Sequence, residues 1–156
     1  MTSLLIHAAL GFITIGLFFY FNAYLYRGGW TGARVSTLEV VYYLFAVGSV
    51  CTGWYFNTHY VMEYGDQASW VHFTKMLFTN PAAGSGSQDL IVTNTFLFPL
   101  WTIVDGPRRG MKQTWIYFVM SLFTSFGFAM GLYLAAQERQ VRWNRASSHA
   151  ARSRVS

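Results

Sequence analysis

Residues 4–26 read LLIHAALGFITIGLFFYFNAYLY and contain no Asp, Glu, Lys or Arg. A helix rises about 1.5 Å per residue, so about 20 apolar residues cross a hydrocarbon core that is about 30 Å thick. Three more charge-free stretches follow, at residues 40–61, 90–104 and 114–137. These stretches do not alternate with a period of two residues, so helices are favoured over the strands of a barrel. The sequence therefore predicts helices that cross a membrane.

The predicted fold class is all-α, an integral membrane bundle of four transmembrane helices with one short interfacial amphipathic helix. The predicted spans are residues 4–26, 38–61, 88–105 and 113–137, and the interfacial helix is residues 66–79. Together they form a single domain over residues 1–144. The remaining residues, 145–156, are rich in Ser, Ala and Arg, which predicts a disordered basic tail.

Local signals mark several boundaries along the chain. Ser36 to Glu39 matches the capping-box pattern at the start of the second span. Asn80-Pro81 is expected to end the interfacial helix, and residues 82–87 are expected to form a flexible loop because they are small and rich in Gly and Ser. Pro99 is expected to kink the third span, since proline lacks a backbone N–H.

Composition excludes a nucleic-acid partner and points to the lipid bilayer. The chain is 53% hydrophobic and 11% charged, whereas soluble domains carry about 25% charged residues. The net charge of +5 comes mostly from arginines after the last span, where they suit lipid head groups and topology. Small-residue patterns at Ser49–Gly53 and Gly127–Gly131 permit close helix contacts, within the bundle or with other membrane subunits or a second copy.

The charge distribution gives a nearly balanced topology under four complete crossings. Both termini would then share a side with Lys75 and the tail arginines, while Arg27, Arg34 and residues 108–112 would occupy the other side. We predict an integral protein of a bacterial inner membrane with both termini in the cytoplasm.

The third span carries the polar residues most able to support chemistry. If the protein is an enzyme, Asp89 would be its acid and Asn94 would orient a substrate, since polar groups inside a bilayer are costly. The alternatives are that Asp89 caps the helix N-terminus and that Asn94 joins neighbouring helices by hydrogen bonds.

Basic and imidazole side chains supply two further candidate sites. Arg108 and Arg109 could bind an anion or a lipid head group, or could simply set topology. His7 and His59 fall on the same side of the membrane and could hold a haem or pigment, although their spacing matches no metal motif. No metal is predicted, and no cofactor is implied beyond that histidine alternative.

From about Tyr43 onward the chain resembles a family of small, uncharacterised bacterial integral membrane proteins. The resemblance rests on Asn80-Pro81, Asp89-Leu90, Arg108-Arg109-Gly110-Met111 and Glu138-Arg139. It implies a body of three spans, to which residues 4–26 add an N-terminal helix. Because that family is a domain of unknown function, the resemblance implies no activity.

Three functions follow as hypotheses. The first is a non-catalytic integral membrane subunit or scaffold of a larger complex, since no convincing catalytic set is present and the small-residue helix faces suit partner helices. The second is a small membrane cyclase or isomerase acting on a lipid or isoprenoid. The third is a haem- or pigment-binding electron-transfer protein. The sequence favours a protein that is not an enzyme.

Overall fold

The computed structural model of the chain describes residues 2–27 and 34–153, and it contains helices and no strand within those ranges. The all-α prediction is confirmed. The helices are α1 (Thr2–Tyr26), α2 (Thr37–Tyr64), α3 (Trp70–Met76), α4 (Pro81–Val92), α5 (Phe98–Arg108), α6 (Trp115–Phe123) and α7 (Phe126–Arg152). A 3₁₀ turn at Gly65–Gln67 precedes α3, and a π-helical turn at Thr93–Leu97 joins α4 to α5.

Helix α1 coincides with the long apolar stretch at the start of the sequence. Its segment Leu4–Tyr26 is the one helix in the described chain that is both long and apolar enough to cross a membrane by a test of length and composition. Only 17% of its most apolar window is buried, so α1 differs from the core helix of a soluble protein. A helix of this kind near an N-terminus is typical of a membrane span or a signal sequence.

Helix α2 begins where the capping box was predicted, but only half of the box forms. The Ser36 side chain accepts a hydrogen bond from the backbone N–H of Glu39 at 3.2 Å. The Glu39 carboxylate does not return to Ser36 and instead binds arginines of α7. Glu39, which completes the capping pattern in the sequence, thus forms a long-range ion pair in the structure.

The predicted interfacial helix over residues 66–79 is shorter in the structure. Residues Gly65–Gln67 form a 3₁₀ turn, and α3 begins only after Ser69, whose side chain accepts from the His72 N–H at 3.2 Å. The Tyr60 hydroxyl donates to the Ser69 carbonyl at 3.2 Å. Capping by Ser69 therefore corrects the predicted start at residue 66.

The expected loop at residues 82–87 is helical. Asn80 caps α4 by accepting from the Ala83 N–H at 2.9 Å, and Pro81 occupies the first turn. Proline suits that position because its missing N–H would be unpaired there anyway. Asn80-Pro81 is therefore a helix start, although a helix end was expected from the sequence.

Helices α4 and α5 form one long rod that widens at the π-helical turn. The Phe98 N–H donates to the Thr93 carbonyl, five residues back. Pro99 follows and cannot donate to a carbonyl of the preceding turn. The local irregularity expected at Pro99 is thus a widened turn just before it.

The predicted fourth span is not a single helix. Helix α6 stops at Phe123, and Ser125 caps α7 by accepting from the Phe128 N–H at 3.1 Å. The rings of Tyr117 and Tyr133 meet edge to face with centroids 5.1 Å apart, so α6 and α7 run antiparallel as a hairpin. A single helix over residues 113–137 is wrong because the chain reverses at Thr124.

The basic tail also differs from its prediction. Helix α7 continues to Arg152, so residues 145–152 are helical where disorder was expected. Residues 154–156 lie outside the described residues.

Two ends of the bundle can now be defined. The arginine end carries Arg27, Arg34, Arg108 and Arg139, and the His7 end carries His7 and Trp70. Helix α7 runs along α2 from Ser125, which lies 3.0 Å from Ser49, to Arg139, which lies 2.7 Å from Glu39. The described chain therefore starts at the His7 end and finishes at the arginine end.

The core lies where the α6–α7 hairpin packs against α1 and α5. Phe18, Tyr117 and Tyr133 are fully buried, and Phe98 is almost so. Their rings meet edge to face, with centroids 5.7 Å apart for Phe18 and Tyr117 and 6.2 Å apart for Phe98 and Tyr133. Such aromatic pairs favour edge contacts because ring edges are positive and ring faces are negative.

Helix α7 packs on α2 through its small residues. A Cβ added to Gly131 would lie 2.8 Å from the Ala46 Cβ and 2.9 Å from the Tyr42 carbonyl oxygen. A Cβ on Gly127 would overlap the Ser49 side chain. The Gly127–Gly131 pattern is therefore used for close packing inside this chain.

Candidate functional site

The hairpin tip is the turn at Thr124-Ser125, between α6 and α7. A cavity of about 810 Å³ lies between this tip and the His7 end. The tip reaches only as far as Gly11 of α1, where an added Cβ would lie 3.0 Å from the Phe123 carbonyl oxygen, and Gly53 of α2, next to Ser125. Beyond that level α1 continues for about 14 Å and α2 for about 17 Å, at 1.5 Å per residue. The cavity exists because the hairpin turns before it has filled the space between those helices.

The cavity walls are mostly apolar and aromatic. They come from α1, α2, α3, α4 and the hairpin tip, and they include Leu4, Phe45, Phe56, Phe73, Leu90 and Phe123. Phe45 is 71% exposed and Leu90 is 48% exposed, so the cavity is open along part of its length. Cavities of roughly 300–1,000 Å³ with apolar walls and few polar groups are typical small-molecule sites.

The floor of the cavity is polar but uncharged. Ser121 donates to the Asn94 side-chain oxygen at 2.8 Å, and the hydroxyls of Ser49 and Ser125 lie 3.0 Å apart. Thr124 donates to the Met120 carbonyl at 2.8 Å. No Asp, Glu, Lys or Arg lines the cavity within the described residues. The site is therefore suited to neutral groups, since a buried charge without a partner costs several kcal/mol.

The rim at the His7 end carries His7 and Trp70. The Trp70 Nε1–H donates to His7 Nε2 at 2.9 Å, and the two ring centroids are 5.1 Å apart. Tyr60, which also lines the cavity, bonds His72 Nδ1 at 2.8 Å. These contacts attach α3 and the segment before it to α1 and α2.

The structure separates the two histidines proposed for a haem or pigment. His7 lines the cavity, whereas His59 is exposed and bonds the Tyr55 carbonyl at 3.0 Å. His59 does not line the cavity. Among the described residues there is also no group of three or more His, Cys, Asp or Glu that could hold a metal ion.

Asp89 and Asn94 are likewise apart. Asn94 lies in the cavity floor, whereas Asp89 is exposed and takes a hydrogen bond from Gln88, its neighbour. Asp89 is well inside α4, which begins at Pro81. It therefore does not cap the helix N-terminus, and it does not line the cavity.

Arg108 and Arg109 lie at the arginine end, away from the cavity. Arg108 is exposed, and the Arg109 Nε–H donates to the Asp105 carboxylate at 2.6 Å. That hydrogen bond raises the pKa of the Arg109 guanidinium above its ordinary value. Asp105 also accepts from Trp101 at 3.3 Å and from Tyr133 at 3.4 Å. Both arginines are exposed, and Arg109 is engaged within the chain by its ion pair with Asp105.

The most extensive polar cluster lies at the arginine end and was not predicted from the sequence. Glu39 is fully buried and binds Arg139 at 2.7 Å, and it also pairs with Arg142. Tyr43 donates to Glu39 at 3.0 Å. Arg139 donates to the Leu25 carbonyl at 3.1 Å. These side chains join α1, α2 and α7 into one unit.

Arg139 also stacks on an aromatic ring in this cluster. Its guanidinium carbon lies 4.6 Å from the centre of the Tyr26 ring, and the Tyr26 hydroxyl lies 2.9 Å from that of Tyr43. Because Glu39 and Arg139 are 100 residues apart in sequence, no local spacing predicts their ion pair. Glu39 directly precedes one charge-free stretch and Arg139 lies two positions after another, and that is the signal the sequence offers.

The hairpin tip had a signal that could have been read. Thr124-Ser125 interrupts a long apolar stretch, and Ser at such a point is a preferred N-cap residue. Ser121 and Gly127 add further small or polar residues within a few positions. A polar cluster in the middle of a predicted span thus indicated a break.

Comparison with known proteins identifies a family and no characterised relative. No functionally curated protein and no solved structure matches the chain. One family model matches residues 41–139, a range that leaves out α1 and Glu39. The chain belongs to the family described as "Protein of unknown function DUF2834".

Proposed function

We propose that the protein is an integral membrane protein in which α1, α2 and the α4–α5 rod cross the bilayer. The support is the apolar surface of these helices: Phe12, Phe45 and Leu100 are 74%, 71% and 62% exposed. Large exposed apolar patches on a soluble monomer promote aggregation, whereas lipid chains cover them at no cost. Each of the three units is longer than the roughly 30 Å hydrocarbon core.

In this arrangement the hairpin enters the bilayer from the arginine end and returns to it. Helix α6 has nine residues, or about 13 Å, so it is too short to cross. Three crossings and one hairpin replace the four crossings expected from the sequence. The two termini then lie on opposite sides of the membrane.

With this arrangement the Lys and Arg residues are no longer nearly balanced between the two sides of the membrane. Of the Lys and Arg residues in the described ranges, all but Lys75 lie toward the arginine end, including those of α7 after Arg139. Lys and Arg are enriched in cytoplasmic segments that flank membrane spans. We therefore assign the arginine end to the cytoplasm and the start of α1 to the opposite side.

Reporter fusions test this topology in a bacterial host. A fluorescent protein that matures only in the cytoplasm is expected to be bright at the C-terminus and dark at the N-terminus. An alkaline phosphatase that is active only outside should give the reverse result. Both termini on one side would reject the half-crossing hairpin, and an outside C-terminus with an inside N-terminus would reject the orientation alone.

Within the membrane, we propose that the protein binds one lipid-like molecule in the cavity beyond the hairpin tip. The observation that carries this proposal is the cavity itself: about 810 Å³, apolar walls and an uncharged polar floor. An apolar chain matches the walls, and a neutral polar group matches the floor. The cavity is open on the side of Phe45 and Leu90, and this opening offers a route from the surrounding lipid.

Binding without catalysis fits this site better than an enzyme does. Within the described residues His7 is the only ionisable group in the lining apart from Tyr60, and its Nε2 accepts the Trp70 hydrogen bond. Asp89, the acid of the enzyme hypothesis, does not line the cavity. A non-catalytic lipid-binding subunit of a membrane complex remains the proposed role.

Filling the cavity tests the binding proposal. Gly48 lines it, and a Cβ built there meets nothing within 4 Å, so Gly48→Phe places a ring in open space. We expect about a tenfold loss of affinity for a long-chain hydrocarbon probe, or about 1.4 kcal/mol, measured by native mass spectrometry of the purified protein.

The matched control is Gly16→Phe. Gly16 also has nothing within 4 Å, but it lies on α1 and does not line the cavity. That variant should bind the probe like the unmodified protein. Equal binding by Gly48→Phe and Gly16→Phe would contradict the proposed site.

A further inference from the structure

Asn94 occupies a distinctive position in the cavity floor. It lies in the π-helical turn Thr93–Leu97, where the Phe98 N–H reaches back five residues to Thr93. Single π turns inside longer helices occur frequently at functional sites. This turn widens the α4–α5 rod at the level where Asn94 faces the hairpin tip.

The Asn94 amide is held at one end and available at the other. Its contact with the Ser121 hydroxyl, at 2.8 Å, fixes one end of the amide. Ser121 can also donate to the Phe118 carbonyl at 2.7 Å. Whichever end of the amide meets Ser121, at least one Asn94 N–H is without a partner among the described residues. That donor belongs to a side chain that lines the cavity.

The other polar groups of the floor have less to offer a ligand. Ser49 and Ser125 bond each other, which leaves the pair one hydroxyl hydrogen, and Thr124 donates to the Met120 carbonyl. A hydroxyl has a single hydrogen, so a Thr or Ser that already donates cannot donate to a ligand as well. Asn94, whose amide nitrogen carries two hydrogens and whose oxygen accepts from Ser121, is therefore the floor residue best able to donate to a bound molecule.

We propose that Asn94 selects lipids with a neutral carbonyl oxygen, such as an ester, a ketone or a quinone. This inference rests on the proposed lipid-binding function and names the chemistry of its ligand. A carbonyl accepts the amide N–H, and its lack of charge suits a floor without counter-ions. The apolar chain of the same molecule occupies the aromatic walls toward Phe45 and Phe56.

The test compares a long-chain ketone with the hydrocarbon of equal length. The full-length protein in detergent is expected to bind the ketone about fivefold more tightly, which is the usual worth of one neutral hydrogen bond. Asn94→Leu should make the two affinities equal while hydrocarbon binding is kept, and that retained binding shows that the variant is folded. A ketone preference that persists in Asn94→Leu overturns the proposal.

Asn57 supplies the matched control, because it also lines the cavity but lies nearer the His7 end on α2. Asn57→Leu should keep the ketone preference, and its loss there would transfer the role away from Asn94. If Asn94→Leu does not fold, Asn94→Ala removes the N–H donors with a smaller side chain. It should also abolish the preference, and an unchanged preference would again overturn the proposal.

Two natural sources of the carbonyl are compared in the same assay. A benzoquinone with an isoprenoid tail and a diacylglycerol are each measured with the unmodified protein and with the Asn94→Leu variant. Weaker binding of either one to the variant supports the proposal, and unchanged binding of both overturns it. The Gly48→Phe result keeps the two proposals distinct, since hydrocarbon binding that survives it rejects the cavity, whereas a persisting ketone preference rejects only Asn94.

Discussion

Replacing Glu39 with glutamine is expected to lower the free energy of unfolding by about 3–5 kcal/mol, because it leaves the buried guanidinium group of Arg139 without its carboxylate. Glu39 is fully buried, Arg139 is 4% exposed, and the two bind at 2.7 Å. Arg142 pairs with the second oxygen of the same carboxylate. The loss can be measured in detergent by following the helical circular dichroism signal during denaturation with heat or SDS.

Glu138→Gln is the control for this substitution. Glu138 also pairs with Arg142, at 3.5 Å, but its side chain is 26% exposed. Partly exposed ion pairs contribute about 0–1 kcal/mol, so this variant should remain close to the unmodified protein. If Glu39→Gln costs no more than Glu138→Gln, the cluster does not hold the helices together.

A compensating variant separates two costs of Glu39→Gln: the lost attraction of the ion pair and the burial of an arginine charge without its carboxylate. Buried ion pairs can often be replaced by apolar residues at little cost, whereas removal of one partner is expensive. Glu39→Gln combined with Arg139→Met and Arg142→Met should therefore recover much of the stability lost in Glu39→Gln alone. A triple variant that is less stable than the single one would show that the arginines stabilise the fold by other contacts.

Substitution of Gly131 by alanine is expected to cost about 1–3 kcal/mol, as overpacking of a close interface usually does. The added Cβ would lie 2.8 Å from the Ala46 Cβ and 2.9 Å from the Tyr42 carbonyl oxygen. These neighbours belong to the body of α2 and cannot move aside as the end of a flexible side chain could. Helices α2 and α7 would have to separate along the face that also carries Glu39 and Arg139.

Gly16→Ala is the matched control for Gly131→Ala. No atom lies within 4 Å of a Cβ built at Gly16, so only helix propensity changes, with a gain of up to about 1 kcal/mol. The same denaturation measurement should therefore move in opposite directions for the two variants. A stabilised Gly131→Ala protein would contradict the close α2–α7 contact.

The first two helices could be anticipated because their signals are local. A long charge-free stretch marks residues 4–26, which form α1. Ser36 marks the start of α2 as its N-cap residue. Both helix positions therefore follow from neighbouring residues alone. The start of α4 was also marked, by Asn80-Pro81, but that pair suits either a helix end or a helix start. Only the bond from Ala83 to Asn80 decides between them.

The hairpin could not be anticipated from length and hydropathy. Residues 114–137 are long and apolar enough to cross a membrane, and a single pair, Thr124-Ser125, reverses the chain within them. The cavity follows from where that reversal happens, as does the encounter of Asn94 with Ser121. Both depend on contacts between distant segments, which hydropathy and local spacing do not encode.

Helix α1 belongs to the body of the protein, although it lies outside the residues that match the family. It buries Phe18 and Leu25, and the Leu25 carbonyl accepts from Arg139. Its Gly11 lies against the hairpin tip. The prediction of an additional N-terminal helix is therefore incomplete, because that helix supplies one wall of both the core and the cavity.

If the proposed membrane arrangement holds, the reversal at Thr124-Ser125 also imposes an order on insertion. A nine-residue α6 is too short to be stable alone or to cross a bilayer. Interrupted backbone at membrane depth is tolerated only where protein or a cavity covers it, and here α1 and α2 provide that cover. Under the proposed topology, the α6–α7 hairpin would therefore stay at the membrane surface during biosynthesis until the earlier helices have assembled, and only then would it enter between them.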